Sequence, residues 1–447
     1  MGDSAPVMGY DDGFFGFGIQ ENIAMRRLIT VTSLCLTLML FSALPCQAQS
    51  IAIEVDAGAY DRIRTPVSAV MTLPEAFAQG DVVILKSIDG QTLLGQLTNP
   101  SLLSTPNIHA GSAEGVVREL HFLLPELAKG EIARFDVSES GADLSTIPSF
   151  SWERSDEGDF LVRGKEPILR YVRPTLDESS PEARELTFKP FHHLFAPDGR
   201  RVSKGPGGLF THHRGLFFGF NRVSYGDGKQ ADVWHARGKA YQSHQETLSE
   251  EAGPVLGRHR VSVGWHGQEG EIFAIETREV TVFAAEEGYS IDFAARVETK
   301  AGPVMLDGDP QHAGVHFRAD NHVADVSKDE TYYLRPDGPG KPGETRNWEP
   351  KTGEGPVNLP WNAMSFKIDG DRYTVAYLDH PENPKEARYS ERDYGRFGSY
   401  FEYKLTEDRP LEVRYRLWLQ TGELTLDRAS ALDVDFDDPV TVRVVEK

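Results

Sequence analysis

The chain has 447 residues, of which 39% are hydrophobic and 10% aromatic, an ordinary composition for a globular protein large enough for two or three domains. It carries 47 basic and 68 acidic side chains and a formal net charge of −21. This charge disfavours nucleic acids and anionic membranes as partners and suits a neutral or weakly charged ligand better.

The first 48 residues read as an upstream extension followed by a secretory signal peptide. Two arginines follow Met25, an apolar run covers residues 28–44, and Cys46 and Ala48 have the spacing that signal peptidase requires. We predict that translation starts at Met25, that cleavage follows Ala48, and that the mature protein is periplasmic or secreted, with no membrane span. Both cysteines of the chain lie in this segment, so the mature chain would contain no disulfide.

From Ile51 onward the sequence predicts an all-β fold. Short β-branched and aromatic runs alternate with polar residues, as in "EIFAIETREVTVF", and are separated by Gly, Pro, Asn and Asp. We predict an N-terminal β-sandwich domain over residues 49–145 and a large antiparallel β-sandwich domain over residues 146–447. A linker is expected between about Gly141 and Trp152.

Histidines concentrate in the predicted large domain, where twelve of the fourteen lie between His192 and His380. In an extended strand, the segment "HAGVHFRA" places His312, His316 and Arg318 on one face and four apolar residues on the other. We predict that the apolar face packs on the core and that the polar face contacts a ligand.

A second polar group precedes an aromatic strand in "FTHHRGLFFGF", residues 210–220. Imidazoles are suited to acid and base chemistry at neutral pH, and guanidinium groups stabilise developing negative charge. The predicted catalytic residues are His212, His213, Arg214, His316 and Arg318. In this hypothesis the adjacent histidines are the acid/base pair, the arginines stabilise charge, and His316 contacts substrate or metal. The alternative is a hydrogen-bonded cluster that ties a loop to the sheet.

Aromatic and polar residues near these motifs extend the predicted site. The predicted substrate-binding residues are His193, Phe217, Trp234, His312, Trp361, Asp379, His380, Arg392 and Tyr394. The sequence requires no cofactor, although His212, His213 and His316 could hold a divalent metal. We expect the histidine pair and the strand from His312 to Arg318 to share one pocket.

Four segments together resemble a known family. "THHRGLFFGF", "HAGVHFRA", "VAYLDHPENP" and "RDYGRFGSYFEYKL" occur in this order and resemble a bacterial family of unknown function named after the methane monooxygenase A subunit (methane oxygenase PmoA-like). The resemblance runs from about Ile51 to Glu423, with Phe217 in place of the family's usual tryptophan. A membrane monooxygenase subunit needs several apolar helices, so the borrowed name does not describe this chain.

What the resemblance implies is a secreted protein built like the large double sheets of sugar mutarotases, a mutarotase-like supersandwich. We therefore expect an exported carbohydrate-active protein, an enzyme that cleaves, eliminates from or isomerises a sugar by histidine acid/base chemistry. Its partner would be a small or oligomeric carbohydrate. Two alternatives stay open, a non-catalytic glycan-binding β-sandwich and a metal-dependent oxidoreductase.

Overall fold

The computed structural model describes residues 50–104, 115–140, 146–285 and 287–445. The predicted extension and signal peptide, residues 1–48, lie outside the described residues. Within the described ranges, no helix is both long enough and apolar enough to cross a membrane.

Strands make up most of the described chain. In the first half they are β1 (Ser50–Asp56), β2 (Arg62–Leu73), β3 (Val82–Ser87), β4 (Thr92–Thr98), β5 (Val116–Leu127), β6 (Ile132–Glu139), β7 (Phe150–Ser155), β8 (Gly158–Arg163), β9 (Glu166–Val172), β10 (Phe191–Leu194), β11 (Leu216–Phe220), β12 (Arg222–Tyr225), β13 (Lys229–Ala231), β14 (Tyr241–Ala252) and β15 (Leu256–His266). In the second half they are β16 (Ile272–Ala284), β17 (Gly288–Thr299), β18 (Val304–Asp307), β19 (Ala313–Arg318), β20 (Tyr332–Arg335), β21 (Gly338–Pro339), β22 (Arg346–Asn347), β23 (Trp361–Ile368), β24 (Asp371–Asp379), β25 (Arg388–Arg392), β26 (Arg396–Tyr400), β27 (Tyr403–Leu405), β28 (Leu411–Thr421) and β29 (Thr441–Val445).

Two α-helices interrupt this pattern, α1 (Pro181–Thr187) and α2 (Leu426–Asp437). Both begin at a residue whose hydroxyl caps the first turn. Ser180 accepts a hydrogen bond from the Ala183 amide, and Thr425 accepts one from the Arg428 amide. Short helical turns cover Glu75–Ala78, Val323–Ser327 and Lys328–Glu330.

Most of the described chain after residue 146 forms two nine-stranded antiparallel sheets that face each other. The first, the front sheet, has the order β22-β25-β26-β19-β11-β10-β9-β8-β7, and the second, the back sheet, has the order β14-β15-β16-β17-β28-β24-β23-β20-β21. A small four-stranded sheet, β13-β12-β18-β27, lies beside them. The predicted all-β fold with large antiparallel sheets is confirmed.

One apolar core fills the space between the two large sheets. It takes side chains from both, for example Phe218 of the front sheet and Phe293 of the back sheet, whose ring centroids are 6.1 Å apart. Ala313, Val315 and Phe317 of β19 are buried in this core, as the alternation predicts. The polar residues of β19 therefore lie on the outer face of the front sheet.

The N-terminal strands form a separate seven-stranded antiparallel sheet of order β2-β5-β4-β3-β6-β1-β29. Its apolar cluster contains Val67 from one end of this order and Val442 from the other, so the sheet curls around its own core. The chain thus returns to its first sheet at its end, with Ala52 opposite Val445. The predicted domain boundary between residues 145 and 146 stays a prediction. The predicted N-terminal domain did not include β29, because pairing between strands so far apart in sequence leaves no local signal.

Candidate functional site

Four histidines converge on the outer face of the front sheet. The ring nitrogens of His212, His213 and His312 that could bind a metal all lie within 4.8 Å of one another. The ring centroid of His235 lies 4.4 Å from that of His212 and 4.7 Å from that of His312. We call these four residues the histidine cluster.

The loop before β11 must fold back over the sheet to form this cluster. Strands β11 and β19 are antiparallel neighbours, and their register pairs Leu216 with Phe317 and Phe220 with Ala313. His212 and His312 therefore precede opposite ends of the strand pair, yet their ring nitrogens meet. The site thus lies over the outer face of the front sheet.

Backbone contacts hold this loop in place. The His213 amide donates to the Phe210 carbonyl at 2.9 Å, which closes a tight turn, and Phe210 adopts a positive φ of 54°. The buried ammonium of Lys189 donates to the carbonyl of His212 at 3.2 Å and to the carbonyl of Trp234. Because Trp234 precedes His235, one lysine links the two segments that supply three of the four histidines.

Two carboxylates orient two of the rings. The Nδ1–H of His235 donates to Asp232 at 2.8 Å, and the Nδ1–H of His312 donates to Asp309 at 2.9 Å. Each pair is three residues apart in a turn, and each leaves Nε2 as the nitrogen available to a ligand. A metal-ligating histidine usually donates its other ring N–H to a carboxylate, which fixes the orientation of the ring.

The other two rings carry buried nitrogens that no described residue satisfies. Both nitrogens of His213 and Nε2 of His212 are buried without a hydrogen-bond partner among the described residues. Buried polar groups without partners are uncommon in folded proteins and call for an explanation such as a ligand. Burial, followed by the nearby charge of His235, lowers the pKa of His212 to about 2, so this ring is neutral at physiological pH. Neutral imidazole is the form that ligates metals.

Exposure increases across the cluster from one side to the other. His213 is 4% exposed, whereas the side chain of His312 is 28% exposed. Phe210, which is 42% exposed, packs its ring against His213 and Tyr394 at centroid distances of 5.2 and 5.0 Å. A ligand can thus reach the cluster from solvent past His312, with aromatic rings beside it.

The structure corrects one member of the predicted metal set, His316. Its Nε2–H donates to the Ala313 carbonyl at 2.8 Å, and its Nδ1 accepts from the Arg396 guanidinium at 3.1 Å. Both nitrogens are engaged, so this ring has none left for a metal. Strand alternation correctly places His316 on the outer face, but His312, four residues earlier, is the residue that lies with His212 and His213.

The two predicted arginines lie next to the cluster in different settings. Arg214 is buried and donates to the carbonyls of Thr211, His213 and Glu185, so it holds the loop together. Arg318 is also buried, and its Nη1 donates to the Ala319 carbonyl at 2.9 Å.

Several of the predicted substrate-binding residues surround the cluster. Trp234 lies edge-on to His316 at 4.8 Å and to His312 at 6.3 Å, and it packs with Phe217 in a small buried group. Tyr394 lies 6.2 Å from His213 between ring centroids. Further out, His193 bonds to the Ser203 hydroxyl at 3.0 Å, and Arg392 is half-buried at the end of β25.

Three predicted substrate-binding residues do not join the cluster, and their role in binding stays a prediction. Trp361 packs in an apolar group with residues of α2, on the outer side of the back sheet. The buried carboxylate of Asp379 accepts hydrogen bonds from Tyr389, at 3.0 Å, and from neighbouring polar groups. His380 lies 5.2 Å from Phe436 of α2. Trp361 begins β23, Asp379 ends β24 and His380 follows it, all on the back sheet, whereas the cluster lies on the front sheet.

Sequence reasoning missed His235 and the two carboxylates. A signal was present, since "DVWH" and "DPQH" both place an aspartate three residues before a histidine. The repeat of this short spacing in two turns is what could have identified both carboxylate–histidine pairs.

Comparison with known proteins places the chain in a family. It belongs to a family of unknown function (DUF6807), whose profile matches residues 159–433, a range that contains the whole histidine cluster. No curated protein matches the chain. Among solved structures, a GH36 alpha-galactosidase from Geobacillus stearothermophilus in complex with raffinose is similar, with a TM-score of 0.30 and 11% sequence identity. The match covers 63% of this chain and 42% of that chain, so the chain spans less than half of that enzyme's length.

Proposed function

We propose that this member of the family is an exported, metal-dependent enzyme that acts on a carbohydrate, with the metal bound by the histidine cluster. The observation that carries the proposal is the environment of His213. Both of its nitrogens are buried and unpartnered among the described residues, and one lies within 4.8 Å of nitrogens from His212 and His312. A metal ion between the three rings would bind one nitrogen of each of them.

The donor set favours a transition metal over calcium or magnesium. All four candidate ligands are imidazoles, which suit zinc, copper, iron and nickel, whereas calcium and magnesium prefer oxygen donors. The nearby carboxylates of Asp232 and Asp309 hold the rings of His235 and His312 and supply two negative charges to offset a divalent cation.

A hydrogen-bonded structural cluster explains the geometry less well. Such a cluster would pair its nitrogens with one another, but no described residue hydrogen-bonds to either nitrogen of His213. Histidines that pair structurally do so elsewhere in this chain, where Nε2 of His192 lies 2.8 Å from Nε2 of His259. The cluster therefore differs from the chain's own example of a structural histidine pair.

The surrounding residues define what the site can do. A bound metal of this type would supply Lewis acidity or, if copper or iron, redox chemistry. Asp232 and Asp309 fix the orientations of the His235 and His312 rings. The side chain of His312 is partly exposed, so substrate can approach the cluster from this side. Phe210 and Tyr394 offer ring faces against which a sugar can stack. A histidine acid/base pair is less suited here, because burial keeps His212 neutral and so unable to act as an acid at neutral pH.

A second candidate, a metal-dependent oxidoreductase, is favoured by the all-imidazole donor set, which copper and iron share with zinc. The identity of the retained metal separates the two candidates, since zinc supports hydrolysis, elimination or isomerisation and cannot change oxidation state.

The test is metal retention combined with turnover. The purified chain is exposed in turn to zinc, copper(II) and iron(II), washed, and analysed for metal by mass spectrometry. We expect about one tightly held ion per chain in the wild type and a loss of most of it in His213→Ala, since structural metal sites need their full ligand set. His380→Ala, which removes a histidine next to α2, is the matched control and should keep the wild-type metal content.

Activity is then screened on neutral, acidic and oxidised glycans with and without chelator. Turnover that stops on chelation and returns with one metal supports the proposal. A wild type that retains no metal, or a His213→Ala variant with full metal content and turnover, contradicts it. Glycan binding by the metal-loaded chain with no product favours the non-catalytic alternative. Sequencing the N-terminus of the secreted protein tests export, with a start at Gln49 expected.

A further inference from the structure

Beside the histidine cluster lies a second group of side chains, Lys204, Arg214, Arg318 and Arg396, which we call the cationic pocket. All four are buried, with exposures of 2% or less. Among the described residues, none of them forms an ion pair with a carboxylate. The pocket is thus a local concentration of positive charge in a chain whose net charge is −21.

The other strongly buried arginines of this fold are arranged differently. Arg278 lies 2.6 Å from Glu276, Arg335 is paired with Glu391, and Arg62 lies 3.1 Å from Asp435. Burying a charged group without a partner is costly, and these three pairs follow the common rule that buried charges are compensated. The cationic pocket departs from the pattern of these three pairs.

Arg318 has buried hydrogen-bond donors that no described residue satisfies. Its Nη1 donates to the carbonyls of Ala319 and Tyr394, but its Nε and Nη2 are buried without a partner among the described residues. Nε and one terminal nitrogen form the fork that binds both oxygens of a carboxylate side by side. The free donors of Arg318 are therefore the two that a carboxylate would use.

The unpartnered Nε and Nη2 donors of Arg318 lie close to the histidine cluster. The Tyr394 ring lies 5.0 Å from the Arg318 guanidinium carbon and 6.2 Å from the His213 ring centroid, so one aromatic ring contacts both sites. Lys204 lies next to Arg318, since its backbone amide donates to the Arg318 carbonyl at 2.9 Å. Burial, followed by the charges of Arg214 and Arg318, lowers the pKa of its ammonium to about 7. Arg318 and His213 are thus neighbours of the same tyrosine ring.

We propose that the carbohydrate bound here is a sugar acid, a uronate or aldonate, whose carboxylate is bound by Arg318 while its hydroxyls face the histidine cluster. This inference rests on the proposed function for its assignment of the ligand as substrate. The carboxylate supplies the negative charge that the cationic pocket lacks, and Tyr394 provides a ring face beside it. The hydroxyls of a neutral sugar can accept hydrogen bonds from Arg318 but leave the charge of the cationic pocket uncompensated, so the pocket favours the acid.

Binding of matched sugars tests the inference directly. Isothermal titration of the metal-loaded wild type compares D-galacturonate with D-galactose and D-glucuronate with D-glucose, and includes inorganic phosphate as a third probe. We expect at least one uronate to bind at least tenfold more tightly than its neutral partner, the range expected when a buried charged donor gains or loses its partner. Equal affinity for each acid and its neutral partner overturns the inference, as does tighter binding of phosphate than of either uronate.

Substitutions at Arg318 locate the effect. Arg318→Gln should lose the preference for the uronate while keeping its metal content, and Arg318→Lys should restore part of it by returning the charge without the fork. Arg372→Gln, on the back sheet, is the matched control and should keep the full preference. If Arg318→Gln does not fold, Arg318→Lys and the wild-type comparison decide the question.

Failure of this inference is distinguishable from failure of the proposed function. A wild type that retains metal but binds acids and neutral sugars equally overturns the sugar-acid assignment alone. A wild type that prefers the uronate but retains no metal overturns the metal site and leaves the anion pocket standing.

Discussion

Replacing Asp309 with asparagine tests how much the carboxylate that orients His312 contributes to metal binding by the histidine cluster. One oxygen of Asp309 accepts the Nδ1–H of His312 at 2.9 Å and the Gln311 amide at 3.0 Å, and the other accepts from Asn221 at 3.0 Å. An asparagine keeps an oxygen for His312 and presents an amide to Asn221. Since the side-chain oxygen of Asn221 is buried and unpaired among the described residues, it can turn to accept this amide. The substitution therefore removes charge and leaves shape and hydrogen bonding nearly unchanged.

The size of the effect follows from the role of Asp309 behind the ring. Although burial alone would raise its pKa, the hydrogen bond and charge of His312 hold the pKa of Asp309 below its ordinary value, so the group is ionised. Loss of such a supporting carboxylate weakens metal binding about ten- to a hundredfold, or about 1.4–2.7 kcal/mol. We expect this loss for Asp309→Asn, measured by competition with a chromophoric chelator at fixed pH.

A carboxylate in the same turn serves as the control. Asp307 accepts from the Tyr400 hydroxyl at 2.7 Å and from Arg222 at 3.2 Å, with no histidine among these partners. Asp307→Asn should therefore bind metal like the wild type. The reasoning is refuted if Asp309→Asn also binds like the wild type, or if both variants weaken binding equally.

Three further predictions concern stability. Burial lowers the pKa of His192 below its ordinary value of 6.5 and lowers that of His259 to about 3, so folding favours the neutral rings. Their full contribution to the free energy of unfolding is therefore present above pH 6.5. Below pH 6.5 this free energy should fall by up to about 1.4 kcal/mol per pH unit for each ring. Urea unfolding should show a slope of this sign between pH 6.5 and 5, and His259→Gln should reduce it by the share of one ring, because other buried histidines such as His212 contribute as well; an equal slope in that variant would contradict the assignment to His259. Gly314→Ala should lower stability by at least about 2 kcal/mol, because φ is +89° and a new Cβ would lie 2.0 Å from the Ser399 carbonyl oxygen; an unchanged melting temperature would contradict this. Deleting Thr441–Val445 should cost at least about 2 kcal/mol by removing a strand from the first sheet, and a deletion variant that melts like the full chain would show that β29 contributes little.

Period-two alternation was enough to predict the β architecture and the orientation of β19. Ala313, Val315 and Phe317 are buried in the core because a strand inside a sandwich must present one apolar face. Helix α2 was not expected, because it buries only a narrow stripe, Ala429, Leu432 and Asp435, which gives little helical periodicity.

Part of the site could be predicted in the same way, and part could not. His212, His213 and His312 stand out as polar residues next to apolar strands, and the structure brings them together. His316 has the same sequence signal, but its nitrogens are taken by a backbone carbonyl and by Arg396. Strand alternation reports which face a side chain lies on and does not report its hydrogen-bond partners. His235 joins through a loop that folds across the sheet, a placement that depends on tertiary contacts.

The most direct test of the metal site is anomalous X-ray diffraction from crystals of the wild-type chain grown with the metal it retains. Data collected on both sides of that metal's absorption edge should give a peak about 2.0–2.2 Å from nitrogens of His212, His213 and His312, with His235 as the fourth candidate ligand. The peak should be absent from crystals of His213→Ala grown under the same conditions. A cluster without an anomalous peak in the wild type, or a peak bound only elsewhere on the chain, would contradict the account.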